Sequence, residues 1–331
     1  MPIERRAGLK INSLTLGRGD EQALLLHCSL ANSRAWLPFA GEFKDKLLMI
    51  AFDPIYIHPL PQNHRFPMEK YDLLPKQLLY EGTIHQEDFM APKVIQNSIV
   101  ERVHCLQYLD DLKNLKITPK AQRQSGFVHS DQLIKREWTI MEGTRMAAEF
   151  ALQNNIAFNI AGGTHHAFYD RGEGFCLLND QVISAQWLLD QKLVSKVLII
   201  DLDVHQGNGT AALCKDNNHI YTFSMHGKNN YPLRKEKSDV DVELEDGIKD
   251  DSYIYQLETQ LDRLGNTVQA DIIFYQCGVD VLATDKLGRL GLTPLGCKKR
   301  DELVFEFSRN ISAPIVCTMG GGYSKEIKHI I

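Results

Sequence analysis

The residues best suited to chemistry form a short alternating run in the middle of the chain. Asp201, Asp203 and His205 occupy every second position of DLDVH, with apolar residues between them. In an extended chain, alternate side chains project to the same face, so the two carboxylates and the imidazole point to one side. Oxygen and nitrogen ligands of this kind suit a divalent cation. A calcium-binding loop is excluded because its twelfth position is Ala212 rather than glutamate.

A second set of residues could transfer protons and complete a metal site. His165 and His166 follow two glycines in GGTHH, and Asp280 follows CGV. Histidine is the usual general acid or base near neutral pH. With Asp203 and His205, Asp280 would supply three protein ligands and leave one position open, as in a catalytic zinc site. Taken singly, the two histidines also fit a loop with local hydrogen bonds, and Asp280 also fits a helix cap.

The last polar motif is MGGGYS, which contains Tyr323. It lacks the lysine of a P-loop, so we expect its glycines to bring backbone close to a ligand and Tyr323 to donate a hydrogen bond. The chain has no G-x-S-x-G motif, which argues against a serine nucleophile. Metal ligands, an acid–base pair and a hydrogen-bond donor together are typical of a metal-dependent hydrolase.

Each of these motifs follows a predicted strand. Buried strands are predicted at Ala157–Ala161, Val197–Asp201, Ile220–Ser224, Asp271–Gln276 and Ala313–Thr318. Helices are predicted at Ser130–Asn154, Asn179–Gln191, Asp251–Leu264 and Leu295–Ser308. This alternation indicates an α/β fold in three layers, with a mostly parallel β-sheet and helices on both faces. Ligands bind at the carboxyl ends of such strands, so we expect the motifs to meet there.

Length and composition fit one large domain or two smaller ones. The 331 residues are 44% hydrophobic and 24% charged, with a formal net charge of −5, as is ordinary for a globular protein. The mild acidity argues against direct binding to nucleic acid or membrane. The sequence shows neither a spanning apolar run nor a secretory signal, and its seven cysteines are scattered. We therefore expect a cytoplasmic protein, or a nuclear one if it is eukaryotic.

These ordered motifs resemble the zinc-dependent histone deacetylase family, which has the arginase-like fold. The matching stretches are GGTHHAFYDRGEGFCLLND, DLDVHQGNGT, CGVDVLATDKLGRLGLT and MGGGYS, and the resemblance extends upstream through IAFDPIYIHPLPQNHRFPMEKYDLLP. The form HQGNG and the short loops are most similar to the class IV, histone deacetylase 11-like branch and its bacterial relatives. The resemblance implies a catalytic domain at residues 48–331. It also implies zinc-dependent removal of acetyl or longer acyl groups from Nε-acyl-lysine in a protein or peptide.

The resemblance implies two metal sites. Asp203, His205 and Asp280 would hold Zn²⁺. A structural K⁺ would lie beside the zinc strand, with Asp201 and Ser224 as its side-chain ligands. Its backbone ligands would be the carbonyl oxygens of Asp203, His205 and Met225.

The resemblance also implies catalytic roles. His166 would be the general base and then the acid, with His165 as its electrostatic partner and Asp201 behind His165. Tyr323 would donate to the scissile carbonyl. Asn208 would lie behind His166, where the best-known classes have aspartate and the class IV branch has asparagine. An amide orients the imidazole but does not raise its basicity as a carboxylate would.

Five further residues are implied to contact the substrate. Gly174 and Phe175 would line the tunnel that receives the acyl-lysine, and Tyr231 would face Phe175. Gly321 and Gly322 would lie beside the bound group.

The two ends of the chain depart from this family. Residues 1–47 form an extension that resembles the start of an α/β-hydrolase, with strands predicted at Gln22–His27 and Leu47–Phe52 and a helix at Ala35–Phe43. We interpret it as a fusion, or as an artefact of the gene model, at a strand that both families share. A natural appendage packed on the sheet is the alternative. A helix is predicted after Tyr323, and we expect the chain to be cut short within it.

Two other functions remain open from the sequence alone. One is a small-molecule amidohydrolase, for example on acetylpolyamines, and the other is a weakly active acyl-lysine binding module. The absence of an obvious long insertion favours a protein or peptide substrate over a polyamine. The sequence does not predict an oligomeric state.

Overall fold

Continuous apolar runs rich in β-branched residues form the centre of a parallel sheet, as expected for strands covered on both faces. A computed structural model describes residues 48–331, so the predicted hydrolase-like extension at 1–47 lies outside the described residues. The sheet contains the strands β1 (Ile50–Ala51), β2 (Phe89–Met90), β3 (Ile156–Asn159), β4 (Val197–Asp201), β5 (Ile220–Gly227), β6 (Val240–Leu244), β7 (Ile272–Gln276) and β8 (Ile315–Thr318).

The strands lie in the order β2-β1-β3-β8-β7-β4-β5-β6, and every pairing between neighbours is parallel. All carboxyl ends therefore lie along one edge of the sheet. Every residue of the four central strands β3, β8, β7 and β4 is buried. The predicted α/β class with a parallel sheet is confirmed.

Helices connect the strands: α1 (Lys70–Tyr80), α2 (Asn97–Val100), α3 (Leu106–Lys113), α4 (Pro119–Ser125), α5 (Asp131–Asn154), α6 (Asp180–Asp190), α7 (Asn208–Cys214), α8 (Asp250–Thr267) and α9 (Pro294–Asn310). Parallel crossovers are right-handed, so connections that run in opposite directions along the sheet place their helices on opposite faces. By this rule α5, α6 and α7 cover one face, and α8 and α9 cover the other. The packing of α5 on α6, of α6 on α7 and of α8 on α9 agrees with this division.

The direction of travel along the sheet reverses between β4 and β7. From β4 the chain moves outward to β5, whereas from β7 it moves the opposite way to β8. In open α/β sheets a crevice forms at such a reversal, at the carboxyl ends of the strands. The topology thus places the segments that follow β4 and β7 on either side of the expected binding crevice.

The long elements match their predicted positions, and the short ones differ. The predicted strand at Leu47–Phe52 contains only the two strand residues of β1, and β2, β6, α1, α2, α3, α4 and α7 were not predicted. The prediction of a helix after Tyr323 is wrong, since the described chain forms only a 3₁₀ turn at Ile327–His329. Tyr323 and Ser324 are instead buried, and the backbone of this segment is irregular.

Candidate active site

A buried carboxylate–imidazole cluster lies at the reversal of the sheet. The Nδ1 atom of His205 lies 3.0 Å from Asp203 Oδ1 and 3.0 Å from Asp280 Oδ2. One ligand atom from each of the three side chains lies within 4.8 Å of the others. Asp203 and His205 follow β4, whereas Asp280 follows β7, so the crevice brings them together from 75 residues apart. These residues can hold a metal ion.

The surrounding backbone is shaped around the carboxylates. The amide of Gly321 donates to Asp203 Oδ2 at 2.8 Å, and the amide of Val204 donates to Asp280 Oδ1 at 3.0 Å. A Cβ atom at Gly321 would lie 2.0 Å from Asp280 Oδ2, so any side chain there would displace the carboxylate. Position 321 therefore requires glycine, because only a residue without a side chain leaves room for the Asp280 carboxylate.

The charge of the cluster favours a bound cation. Burial and the neighbouring Asp203 raise the pKa of Asp280 to about 7. Burial lowers the pKa of His205, but its hydrogen bonds to the two carboxylates outweigh this and raise the pKa to about 10. Burial is the larger cause at Asp280 and opposes the shift at His205, while the excess negative charge of the neighbouring carboxylates raises both pKa values. Two carboxylates, one imidazole and this excess charge fit a divalent ion such as zinc.

Two adjacent histidines flank the cluster, each with its own partner. His165 Nδ1 lies 2.7 Å from Asp201 Oδ2, and His166 Nδ1 lies 2.6 Å from Asn208 Oδ1. The two rings are 4.1 Å apart between centroids, and both side chains are buried. The structure therefore places Asn208 behind His166 and Asp201 behind His165.

These partners give the two imidazoles opposite pKa shifts. Burial lowers the pKa of His165, but the Asp201 and Asp203 carboxylates outweigh it and raise the pKa to about 9. Burial lowers the pKa of His166 well below its usual value, and the positive charges of His165 and His205 lower it further. At neutral pH, His165 is protonated and His166 is neutral.

Tyr323 lies on the other side of the cluster. Its amide donates to Asp285 Oδ2 at 2.6 Å, and its ring centroid lies 6.3 Å from that of His205. Burial and the Asp203 and Asp280 carboxylates raise the pKa of its hydroxyl well above the usual value. Tyr323 therefore keeps its proton and can act as a hydrogen-bond donor.

An aromatic group leads from the surface to this site. The rings of Phe66, Phe127 and Tyr323 lie within 6 Å of Phe175, at centroid distances of 5.2, 5.6 and 5.9 Å. A Cβ atom at Gly174, whose φ is +50°, would lie 2.5 Å from the His166 ring. This glycine therefore lets the chain pass directly over the imidazole.

Tyr231 lines a cavity of about 930 Å³ that is also lined by Phe175, Tyr323 and His166. Its ring centroid is 5.0 Å from that of His166, and its hydroxyl donates to Glu173 Oε2 at 2.7 Å. Its ring contacts those of His166 and His205, and the expectation that it faces Phe175 across this cavity stays a prediction. Gly322 is buried next to Tyr323, and a Cβ atom at this position would clash with the Val279 side chain.

The expected potassium ligands lie on neighbouring strands. Ser224 on β5 is the register partner of Asp201 on β4, and both are buried. Asp201 Oδ1 accepts the amide of Asp203 at 3.1 Å, and Ser224 Oγ lies 2.9 Å from His226 Nδ1. The potassium site itself stays a prediction, as does the coordination by the carbonyls of Asp203, His205 and Met225.

Three buried cations support the site and were not found from the sequence. Arg300 of α9 donates to the carbonyls of Gly278 at 2.6 Å and of Cys277 at 3.2 Å, directly after β7. Lys70 of α1 donates to the carbonyl of Gly320 at 2.9 Å. Arg136 of α5 lines a small inner cavity of about 30 Å³ behind His166 and Tyr323. Lys70 does lie within a stretch that resembles the family, whereas Arg136 and Arg300 lie outside any such motif.

Two buried polar side chains, Asp180 and Gln276, hold the GGTHH loop. Asp180 accepts the amides of Gly163 at 3.0 Å and Thr164 at 2.8 Å, and Gln276 Nε2 donates to the Gly163 carbonyl at 2.8 Å. These contacts fix the backbone immediately before the histidine pair. Asp180 lies at the start of a predicted helix and Gln276 ends a predicted strand, and these positions are the signal that could have singled them out.

No helix within residues 48–331 is both long and apolar enough to cross a membrane.

Comparison with known proteins assigns these features to a family. Residues 64–329 match the model of the histone deacetylase domain. The chain is 40% identical over 282 residues to an uncharacterized protein of Picosynechococcus, covering 85% of this chain and 94% of that protein. It is 30% identical over 277 residues to histone deacetylase 2 of Arabidopsis thaliana, covering 81% of this chain and 72% of that protein.

Solved structures show the same fold at lower sequence identity. A crystal structure of a histone deacetylase homologue from Aquifex aeolicus superposes with a TM-score of 0.74, at 22% identity, over 84% of this chain and 80% of that one. A structure of a histone deacetylase homologue complexed with SAHA superposes equally well, at 23% identity and the same coverage.

Proposed function

The chain belongs to the histone deacetylase family, and we propose that it hydrolyses the amide bond of Nε-acyl-lysine in a protein or peptide, with Zn²⁺ at Asp203, His205 and Asp280. The family makes it a deacetylase-type hydrolase. The observation that carries the proposal is the buried metal-ligand cluster beside a histidine pair at the end of an aromatic-lined cavity. The assignment to the class IV branch rests on HQGNG and on Asn208 and stays part of the proposal.

The ligand set fits the proposed cofactor. Three protein ligands with one open position are typical of catalytic zinc. A bound zinc ion would polarise the scissile carbonyl and lower the pKa of water in the site. The cation would also neutralise the excess charge that raises the pKa of Asp280.

His166 carries the proton in this proposal. With Asn208 Oδ1 as acceptor, Nδ1 of His166 bears the hydrogen, so Nε2 is free to take a proton from the attacking water. Because the pKa of His166 lies below its usual value, the ring is neutral and ready to act as a base. The same proton then passes from His166 to the leaving lysine amine.

Two donors stabilise negative charge on the scissile oxygen. The Tyr323 hydroxyl keeps its proton and can donate, with its ring packed against Phe175, and His165, kept protonated by Asp201, contributes its positive charge. The walls of Phe66 and Phe175 suit the four methylene groups of a lysine side chain. Gly174, Tyr231, Gly321 and Gly322 would complete the substrate site, which stays a proposal, as do the K⁺ at Asp201 and Ser224 and the cytoplasmic location.

The proposal is tested with the zinc-loaded full chain and a fluorogenic acyl-lysine peptide, offered with acetyl and with long acyl groups. We expect cleavage by the wild type and a Tyr323→Phe variant whose kcat is at least tenfold lower with normal zinc content, since losing one such donor typically costs about 10²–10³ in rate. Zinc content is measured by mass spectrometry on both proteins.

Cleavage of no acyl-lysine substrate by zinc-loaded protein would contradict the proposed reaction and favour a binding module. Unchanged activity in the Tyr323→Phe variant would instead leave the reaction intact and remove Tyr323 from it.

A further inference from the structure

The mouth of the large cavity carries the opposite charge to the chain as a whole. The formal net charge of the chain is −5, yet the cavity is lined by four arginines and only two acidic residues. The arginines are Arg65, Arg171, Arg234 and Arg289, and the acidic residues are Glu173 and Glu236. A local reversal of sign at the entrance to a site acts on the charged groups of whatever enters it.

Two of the arginines are already neutralised by neighbours. Arg171 pairs with Glu173 at 2.8 Å and with Asp170 at 3.1 Å, and Arg289 pairs with Asp246 at 3.3 Å. Arg65 and Arg234 are exposed, and neither forms an ion pair with any residue between 48 and 331. Their guanidinium groups are therefore available to a ligand.

These two arginines flank residues that reach the active site. Arg65 precedes Phe66, whose ring lies 5.2 Å from Phe175. Arg234 lies three residues after Tyr231, whose ring packs on His166. A substrate seated between Phe175 and His166 thus brings its neighbouring residues to both arginines.

The loop that carries Arg234 strengthens the positive field. Residues 228–237 read KNNYPLRKEK, with four cationic side chains and one acidic one, and of the four cations Lys228 pairs with Glu245 at 2.9 Å. Lys235 is held there by bonds from Nζ to the carbonyls of Asn230 and Pro232, at 2.6 and 2.7 Å. Leu233 in the same loop is 93% exposed and offers an apolar contact next to the charges.

An acyl-lysine side chain has no charge at its modified nitrogen, so the residues around it decide the electrostatic match. We infer that the substrate is an acyl-lysine peptide segment with acidic residues next to the modified lysine, recognised by Arg65 and Arg234. The inference rests on the proposed deacylation and narrows it. It disfavours polycationic substrates, namely acetylpolyamines and lysine-rich tails, because the arginines repel them.

The experiment uses three acetyl-lysine peptides of equal length with capped ends, in which the residues on both sides of the acetyl-lysine are Glu, Gln or Lys. Binding is measured by fluorescence anisotropy and turnover as kcat/KM, both with the zinc-loaded full chain. We expect the order Glu, Gln, Lys, with the Glu peptide favoured over the Gln peptide by about 2- to 25-fold, since each exposed ion pair contributes a factor of about 1.4 to 5. The preference should shrink in 0.5 M NaCl, where charges are screened within about 4 Å.

The variants separate the two arginines from general charge effects. Arg65→Gln with Arg234→Gln should abolish the preference for the Glu peptide over the Gln peptide. Arg234→Glu should reverse the order of the Glu and Lys peptides. Arg263→Gln is the matched control, because Arg263 is exposed in the last turns of α8, which lead into the opposite, amino edge of the sheet.

The two measurements distinguish failure of this inference from failure of the proposed function. Equal dissociation constants for the three peptides, or tighter binding of the Lys peptide, would overturn the inference even if all three are cleaved. Selective binding of the Glu peptide without any cleavage would uphold the inference and reject deacylation.

Discussion

His165 and His166 are neighbours in sequence and equally buried, but they are supported by different groups. A carboxylate lies behind His165 and an amide behind His166, at 2.7 and 2.6 Å. The carboxylates of Asp201 and Asp203 hold the pKa of His165 near 9. At His166, burial and the positive charges of His165 and His205 outweigh the opposing effects of Asn208 and Asp203, so its pKa falls well below its usual value. The partner group, an acid at His165 and an amide at His166, therefore contributes to which imidazole stays charged and which can accept a proton.

The two histidines therefore take different roles because different groups lie behind their rings. The rings are 4.1 Å apart, so a positive charge on His165 disfavours a second one on His166. A carboxylate behind both rings would weaken this division. Removing the imidazole of His166 tests its role as the base, and exchanging the partner groups tests the cause of the two opposite pKa shifts.

The largest effect is expected from removing the neutral imidazole. His166→Ala should lower kcat by about 10²–10⁴, the usual contribution of general acid–base catalysis. The assay is kcat on an acetyl-lysine peptide, with zinc content measured as a check on the metal site. Activity within tenfold of the wild type would show that proton transfer does not pass through His166.

An intermediate effect is expected from giving His165 the kind of partner that His166 has. Asp201→Asn removes the charge that raises the pKa of His165, so this pKa should fall from about 9. Activity that needs protonated His165 is present below that pKa and lost above it, so the high-pH limb of kcat/KM should move to lower pH. We expect a loss of about tenfold at pH 8, equivalent to about 1.4 kcal/mol.

The measurement is a pH profile of kcat/KM, with zinc content and thermal midpoint as controls. A high-pH limb that stays in place would show that the charge of His165 does not matter for turnover.

The smallest effect is expected from the converse exchange. Asn208→Asp places a carboxylate behind His166 and should raise its pKa, because a carboxylate stabilises the imidazolium. The neutral base is lost as pH falls through this pKa, so the low-pH limb should move to higher pH. Near pH 8 we expect a change of only a few-fold, about 1 kcal/mol or less. A low-pH limb that moves the other way, or not at all, would contradict the role given to Asn208.

The parts of the site that could be predicted are those that follow long buried strands. Asp203, His205 and Asp280 come directly after β4 and β7, and parallel strands necessarily bring such positions to one edge. The central strands could also be predicted, because a continuous apolar run such as VLIID is typical of a parallel strand that is covered on both faces. The segment after Tyr323 misled because its residues are compatible with a helix, while tertiary contacts hold Tyr323 and Ser324 in irregular backbone.

The parts that could not be predicted depend on contacts between distant segments. Lysine and arginine in a helix are normally exposed, and nothing local marks Lys70 or Arg300 as fully buried. Their partners are the carbonyls of Gly320 and Gly278, which are 250 and 22 residues away. Only the packed structure shows that these cations satisfy backbone oxygens next to the site.

The aromatic group around Phe175 is gathered from segments spread over most of the described chain. Phe66 precedes α1, Phe127 follows α4, Phe175 precedes α6 and Tyr323 follows β8. None of these segments can form its wall until the strands between them have paired, so the passage exists only in the completely assembled domain. A ligand held there draws its binding energy from the native state alone, and its affinity would report how much of a population of molecules has reached the end of folding.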